Sequence, residues 1–280
     1  MLVASLLCQV VLATAALAIP SSRERLAERV ARRAAGFTHR SQPNQFVEFS
    51  SVAEVNAKTN ALTKVTKARK VSYSGNWSGA VLSAKNATYN SVTATFVVPR
   101  PKEPSGATGR HSVAAWVGID GASCGRTILQ TGVDFTVNGN AIGYTAWCEW
   151  FPFPSHDFSG ISFKPGDEVT LTVTATSSTS GKATITNKST GKTVSQSFSG
   201  AKVALCQENA EWIVEDFSVG GKQVPLSNFG NLVFRNATAH TLAGKTVGPA
   251  GSTLIDMVHN NTIVSKGSTG NRTVTVSYVG

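Results

Sequence analysis

Two glutamates, Glu211 and Glu215, stand four residues apart inside the run CQENAEWIVEDF (206–217), among β-branched and aromatic side chains. In a strand, residues two apart share a face. Glu211, Ile213, Glu215 and Phe217 therefore point one way, and Trp212, Val214 and Asp216 the other. A strand with one wet face alternates polar and apolar residues, whereas this one carries acid on both faces. Carboxyl groups beside large apolar ones are costly unless they are solvated, paired or used in chemistry. Parity alone leaves two readings open: strand acids satisfied by a partner or by solvent, or carboxyls held for general acid–base work.

Three further patches place polar groups among tryptophans. They are YSGNWSGA (73–80), then WVGIDG (116–121) with Cys124 and ILQTGVD (128–134), and AWCEWFP (146–152). Taken singly, each reads equally well as core tryptophan and Asp-Gly turn. A serine-protease reading finds little support. His111, His156, His240 and His259 lie outside the strand motifs and away from any G-x-S-x-G, and are expected at the surface. The paired D-T/S-G signatures of an aspartic protease are absent.

The elements that must position these residues are strands. From Val71 onward the chain is a series of short runs bounded by Gly, Ser and Asn. They are SVTATFVVP (91–99), AAWVGI (114–119), TILQTGV (127–133), YTAWCEWF (144–151), EVTLTVTAT (168–176), KATITN (182–187), EWIVEDF (211–217) and RTVTVSYV (272–279). No stretch of ten residues carries a helical period. Many short strands without intervening helices predict an all-β fold, an antiparallel β-sandwich of two sheets, larger than one immunoglobulin-like unit and of the jelly-roll, concanavalin A-like kind.

Ahead of this domain lie two segments of different character. Residues 2–18 are apolar and end Ala16-Leu17-Ala18, the small-x-small pattern of a signal-peptide cleavage site. The run is short for a membrane span and is broken by Gln9, and no other hydrophobic stretch approaches ~20 residues. A secreted, extracellular protein with a leader of residues 1–18 and no membrane partner is expected. Of the formal charge of +10, residues 21–70 supply 11 Lys or Arg against 4 Asp or Glu, a net +7. The basicity that would suggest nucleic acid thus sits mostly outside the domain. Residues 19–70 read as a basic propeptide, with Arg69-Lys70 as processing site and 71–280 as the mature domain. Sequons at Asn86, Asn187, Asn236, Asn260 and Asn271 fit a secretory route. Once Cys8 leaves with the leader, Cys124, Cys148 and Cys206 remain, enough for one disulfide and one free thiol. No C-x-x-C or Cys/His cluster is present, so no metal is expected.

Together the patches resemble the glutamic peptidases (eqolisins), secreted fungal acid proteases. The likeness covers N-W-S-G, W-V-G-I-D-G, I-L-Q-T-G-V-D, A-W-C-E-W-F-P, D-F-S-G (157–160), P-G-D (165–167), T-A-T-S-x-T-S-G (174–181) and A-E-W-I-V-E-D-F, all in the family's order. It implies an acid endopeptidase acting on polypeptides, a zymogen that matures to a monomer, with no cofactor. It also implies a dyad of Gln130 and Glu215, with Glu211 outside it. Cleft neighbours correspond to Trp77, Trp116, Asp120, Asp134 and Glu149, and the family disulfide to Cys124–Cys206. The chemistry suits such a pair: a glutamate can move protons to and from water and amine, and a glutamine N–H can stabilise an oxyanion at any pH. The basic propeptide is expected to cover the acidic cleft around Asp120, Asp134, Glu149 and Glu215 as an inhibitor. Asn76 heads a sequon but should stay unmodified beside that cleft. Cys148, on the face opposite Glu149, should be a buried, inert thiol. Two other readings use the same residues. A jelly-roll glycoside hydrolase would pair Glu149 with Glu215 and use Trp77, Trp116 and Trp147 as sugar platforms, leaving Gln130 idle; a lectin-like module would not turn over at all.

Overall fold

The computed structural model describes residues 39–49 and 70–280, all within one compact unit. The leader, the basic run at 21–33 and Arg69 lie outside the described residues. Among the described residues there is no helix. The strands, in chain order, begin with β1 (His39–Arg40), β2 (Phe46–Val47), β3 (Val71–Ser74), β4 (Trp77–Ser83), β5 (Tyr89–Val97), β6 (Arg110–Ile119) and β7 (Ile128–Asn138). Next come β8 (Ala141–Phe151), β9 (His156–Asp157), β10 (Glu168–Ser177), β11 (Ser180–Asn187), β12 (Lys192–Phe198) and β13 (Asn209–Glu215). The last are β14 (Ser218–Val219), β15 (Lys222–Gln223), β16 (Asn231–Thr241), β17 (Thr246–Val247), β18 (Thr253–His259), β19 (Thr262–Thr269) and β20 (Thr273–Tyr278).

One layer runs β9-β8-β7-β6-β13-β4-β18 and the other β12-β11-β10-β5-β16-β20-β19, every step antiparallel. The β18–β19 hairpin joins the two layers. Strands β5 and β10 pack across β6 and β7, which makes the all-β sandwich that the strand pattern predicts. Between the layers lies the main core, which includes Phe96, Phe135, Leu171, Trp212, Val214 and Phe234. Trp212 spans it, and its indole N–H donates 3.0 Å to the Thr93 carbonyl on β5. A second apolar cluster (Trp77, Trp116, Ile128, Trp147, Ile213 and Phe217) covers the other face of the first layer.

Strand β13 explains its own odd composition. It pairs with β4 on one side and β6 on the other, and each of its seven residues is buried. A strand buried on both faces has no wet side to alternate against. Its parity is nevertheless kept, with Trp212 and Val214 in the inter-sheet core and Ile213 in the outer cluster. All eight runs read from the sequence are strands. The others hid for physical reasons. Polar β12 is an exposed edge hairpin, β16 has a register shift between Arg235 and Thr238, and β18 shifts at Met257/Val258. One expectation needs correction: His111 is buried within β6, its Nδ1 3.0 Å from the Gly109 carbonyl, because β6 begins four residues earlier than the apolar run suggested.

A disulfide joins Cys124 to Cys206 across 82 residues, and closing so long a loop stabilises the fold by about 4 to 5 kcal/mol in the chain-entropy model. Cys148 is free and buried, and burial pushes its thiol up to about 12. Gly132, in the middle of β7, lets the tryptophans of the outer face meet over the sheet. A Cβ there would lie 2.6 Å from the Ala115 carbonyl oxygen, 2.6 Å from the Trp116 Cβ and 2.9 Å from the Trp147 ring. Two of those obstacles belong to or adjoin backbone and cannot swing away. Gly132→Ala is therefore expected to destabilise the fold by about 1–3 kcal/mol in urea unfolding. A change under about 0.5 kcal/mol would show that the strand spacing is slack.

Candidate active site

The outer face of the first layer is ordered in cross-strand rows. In one row Glu211, Gly118, Gln130 and Glu149 are consecutive partners on β13, β6, β7 and β8. The next holds Ile213, Trp116, Gly132 and Trp147, and the third Glu215, Ala114, Asp134 and Thr145. Trp77, on β4, is paired with Glu215 from the other side. Period-two geometry thus brings Gln130, Asp134, Glu149, Trp77, Trp116 and Glu215 onto one face, as the sequence motifs imply.

Glu215 is fully buried at the end of β13. Its Oε2 accepts the indole N–H of Trp116 at 2.9 Å and the hydroxyl of Ser41, and its Oε1 accepts the backbone N–H of Gln42 at 2.9 Å. Burial raises its pKa to about 7, against the pull of His39 and of the three donors. Across the face, Gln130 Nε2 donates to Glu149 Oε2 at 2.8 Å. Glu149 rises to about 8, first through burial, with the charge of Glu215 adding to the shift and those of His39 and Arg40 opposing it. Glu211 has no hydrogen-bond partner for either carboxyl oxygen, and burial holds its pKa well above the usual range. The Trp116 ring connects the two glutamates of β13. Its benzo edge lies over Gly118 beside Glu211 Oε1, while its N–H meets Glu215.

Asp120 goes elsewhere. Its carboxylate accepts backbone N–H bonds from Gln207, Glu208 and Asn209 at 2.8–3.3 Å, fastening the Asp-Gly loop to the chain beyond Cys206. It lies close to Cys124 and Cys206, but their sulfurs are joined to each other, so that cluster offers no thiolate to a metal.

Part of the segment expected to cover this cleft lies in it, through contacts that the sequence motifs did not indicate. Residues 39–47 cross it as an extended strap. β1 pairs antiparallel with β14, and β2 with β3. Between those anchors the Gln42 carbonyl accepts the indole N–H of Trp77 (2.9 Å) and the Asn76 side-chain amide (3.3 Å), which also reaches the Pro43 carbonyl (3.2 Å). Asn44 N–H donates to the Gly121 carbonyl at 3.0 Å, and Gln45 N–H to Asn76 Oδ1 at 2.9 Å. His39 stacks on Trp147, lies 4.4 Å from the Phe217 ring, and puts Nδ1 3.1 Å from Asp134 Oδ1. The described strap makes most of these contacts through backbone groups and short side chains. Its arginine, Arg40, donates to the Pro152 carbonyl at 3.4 Å. The residues missed at the sequence level are therefore His39 and Ser41 on the strap. Asn76, Trp147 and Phe217 beneath it lay in motifs already singled out, without these contacts being foreseen.

Comparison with known proteins agrees with this architecture. The peptidase A4 family model matches residues 75–278. Aspergillopepsin-2 of Aspergillus niger is 40% identical over 284 residues, covering 95% of this chain and 96% of that protein. Scytalidopepsin B of Scytalidium lignicola is 39% identical over 219 residues, covering 76% and 81%. A crystal structure of scytalido-glutamic peptidase with a transition-state analogue inhibitor superposes with a TM-score of 0.67 at 38% identity, covering 73% of this chain and 98% of that one. That of aspergilloglutamic peptidase from Aspergillus niger superposes with a TM-score of 0.59 at 45% identity, covering 60% and 99%. The chain belongs to the peptidase A4 (eqolisin) family and is a glutamic peptidase. The glycoside hydrolase and lectin readings are thereby set aside.

The Trp116 indole stabilises the ionised form of Glu215, so its removal should raise that pKa above about 7. In Trp116→Phe, the protonated-carboxyl infrared band that disappears in Glu215→Gln should persist to higher pH than in the parent. An unmoved or lowered midpoint would show that the indole N–H does not stabilise the carboxylate.

Proposed function

We propose that this glutamic peptidase is a secreted acid endopeptidase, held inactive by its own leading segment, in which Glu215 and Gln130 form the catalytic dyad. The observation that carries this reading is the seating of the Ser41 hydroxyl on Glu215 Oε2 and the Gln42 N–H on Oε1. A hydroxyl oxygen so placed stands in for the attacking water. In turnover the ionised form of Glu215 takes a proton from that water as its oxygen bonds to the scissile carbonyl carbon. The carbonyl oxygen gains negative charge and accepts an N–H of Gln130, whose amide has a second N–H beside the one given to Glu149. Collapse of the tetrahedral intermediate breaks the C–N bond, and Glu215 returns the proton to the departing amine.

Glu215→Gln is expected to abolish peptide cleavage with the fold intact, and Gln130→Ala to lose roughly 10²–10³ in kcat. Glu211→Gln should keep most activity. An essential Glu211 beside a dispensable Glu215 would show that the dyad is misplaced. Glu149, pushed up to about 8, is assigned the proton that makes the activity acid-dependent. Glu149→Gln should accordingly move the alkaline limb of the rate profile; an unmoved limb would give that role to Glu215.

The strap supplies the inhibition. The strap presents to Glu215 the Gln42 N–H, which can only donate, and the Ser41 hydroxyl, which donates to the carboxylate, so it binds the carboxylate better than the acid. As pH falls through about 7, protonation adds a hydrogen where the Gln42 N–H already points, and the strap loosens. The leader 1–18, propeptide 19–70 and processing at Arg69-Lys70 complete the proposal. Active enzyme from an acidified culture medium should begin near Val71 on N-terminal sequencing. Activity at acid pH in molecules that still hold residues 39–49 in the cleft would reject it.

A further inference from the structure

The strap enters the cleft much as a peptide would. Its backbone is added as a strand to β14, with His39 opposite Val219 and Arg40 opposite Ser218, and Ser155 Oγ donates to the His39 carbonyl at 2.6 Å. In strand addition the main-chain bonds give affinity, and the pockets under the side chains give specificity. One strap side chain drops into such a pocket. His39 is 5% exposed, although the residues around it come from distant parts of the chain. Trp147 stacks on the imidazole at 4.0 Å and 27°, and Phe217 lies tilted against it at 4.4 Å and 37°. Asp134 stands at the end of this slot, its carboxyl 1% exposed and both oxygens without a hydrogen-bond partner beyond the 3.1 Å approach of the imidazole.

We infer that this slot, walled by Trp147 and Phe217 and ended by Asp134, is a substrate subsite that selects a protonated histidine side chain. The inference rests on the cleft being the peptide-cleaving site proposed above. Three physical demands meet in the slot. The gap between two rings admits a flat group and favours a cationic one. The buried carboxyl at its end requires a donor, which a phenyl or methyl side chain cannot offer, so those ligands leave Asp134 unpaired. A ligand carboxylate, which only accepts, brings Asp134 no donor either. A free histidine is protonated below about pH 6.5, the range in which the enzyme is proposed to work. The strap histidine follows the same balance. Burial lowers its pKa, but the charge and hydrogen bond of Asp134 and then the charges of Glu149 and Glu215 outweigh burial and raise it.

The test uses acid-activated enzyme and matched peptides that differ at one position, walked along the chain, carrying His, Phe, Ala or Glu. At one position His should raise kcat/KM over Ala by at least about tenfold, near the lower end for a hydrogen bond to a charged group, with Phe between them and Glu poorest. Asp134→Asn should bring the His-to-Phe ratio toward one, with folding checked by near-ultraviolet circular dichroism. A second measurement needs no altered enzyme. At a pH near the upper end of the active range, where Glu215 is still partly ionised and the strap still binds, a synthetic peptide of residues 38–47 should inhibit at least about tenfold better than the same peptide with His39→Ala. Equal rates with His and Ala at every position, an unmoved ratio in Asp134→Asn, or equal inhibition by the two peptides would overturn the assignment while leaving the peptidase reading intact. Failure of the folded, activated enzyme to cut any peptide would remove both.

Discussion

A carboxylate deprived of water must find donors, and most of the architecture of this site follows from that need at Glu215. Burial alone would keep its proton well above the ordinary range, and only the donors and charges around it bring the pKa back to about 7. The Trp116 indole is a fixed donor, held from below by the narrow gap over Gly118 and from the side by the T-shaped contact with Trp77, 4.9 Å between ring centres. The remaining donors come from the strap, and so from outside the sandwich proper. Glu211, four residues back on the same face, has no donors, and burial holds its pKa well above the usual range. Two glutamates on one strand thus differ because His39 and three hydrogen-bond donors face one of them and no donor faces the other.

The same need shapes the strap. A basic segment over an acidic cleft suggests attraction between numbers of charges, weak per pair and easily screened. The described contacts are of another kind. Backbone amides and carbonyls are matched one to one with Glu215, Trp77, Asn76 and Gly121, and one ring is enclosed by Trp147 and Phe217. Such an arrangement responds to the protonation of particular oxygens more than to ionic strength. It also makes Asn76 an unsuitable glycan carrier, since its amide nitrogen faces two strap carbonyls and the residue is 1% exposed.

What the sequence disclosed, and what it withheld, divides along the range of the interactions involved. Parity is a local property, so the faces of Glu211, Trp212, Cys148 and Glu149 were readable from a few residues each. The eight alternating runs were readable for the same reason. Strand β16 was not, because a register shift breaks its alternation, and β12 was not, because an exposed edge has no apolar face to display. Asp120 lies in a motif that reads as cleft, yet its carboxylate is taken by three amides nearly ninety positions further along, a pairing no local pattern encodes. The strap is the extreme case. HRSQPNQFV has no periodicity, few apolar residues and no chemistry of its own. Its conformation is dictated by Glu215, Asn76 and β14, so it becomes legible only once the sandwich exists.

The rows on the outer face have one more implication. A slip of β13 by a single position against β4 and β6 would turn Glu211 and Glu215 into the space between the sheets and push Trp212 and Val214 out of it. Trp212 would lose its bond to the Thr93 carbonyl in the same movement. The face that carries Gln130 and Glu149 therefore receives Glu215 only when the sheet is rightly paired. With the cutting assigned to that glutamate as proposed, competence is tied to correctness: molecules able to cut are those whose strands have found their partners.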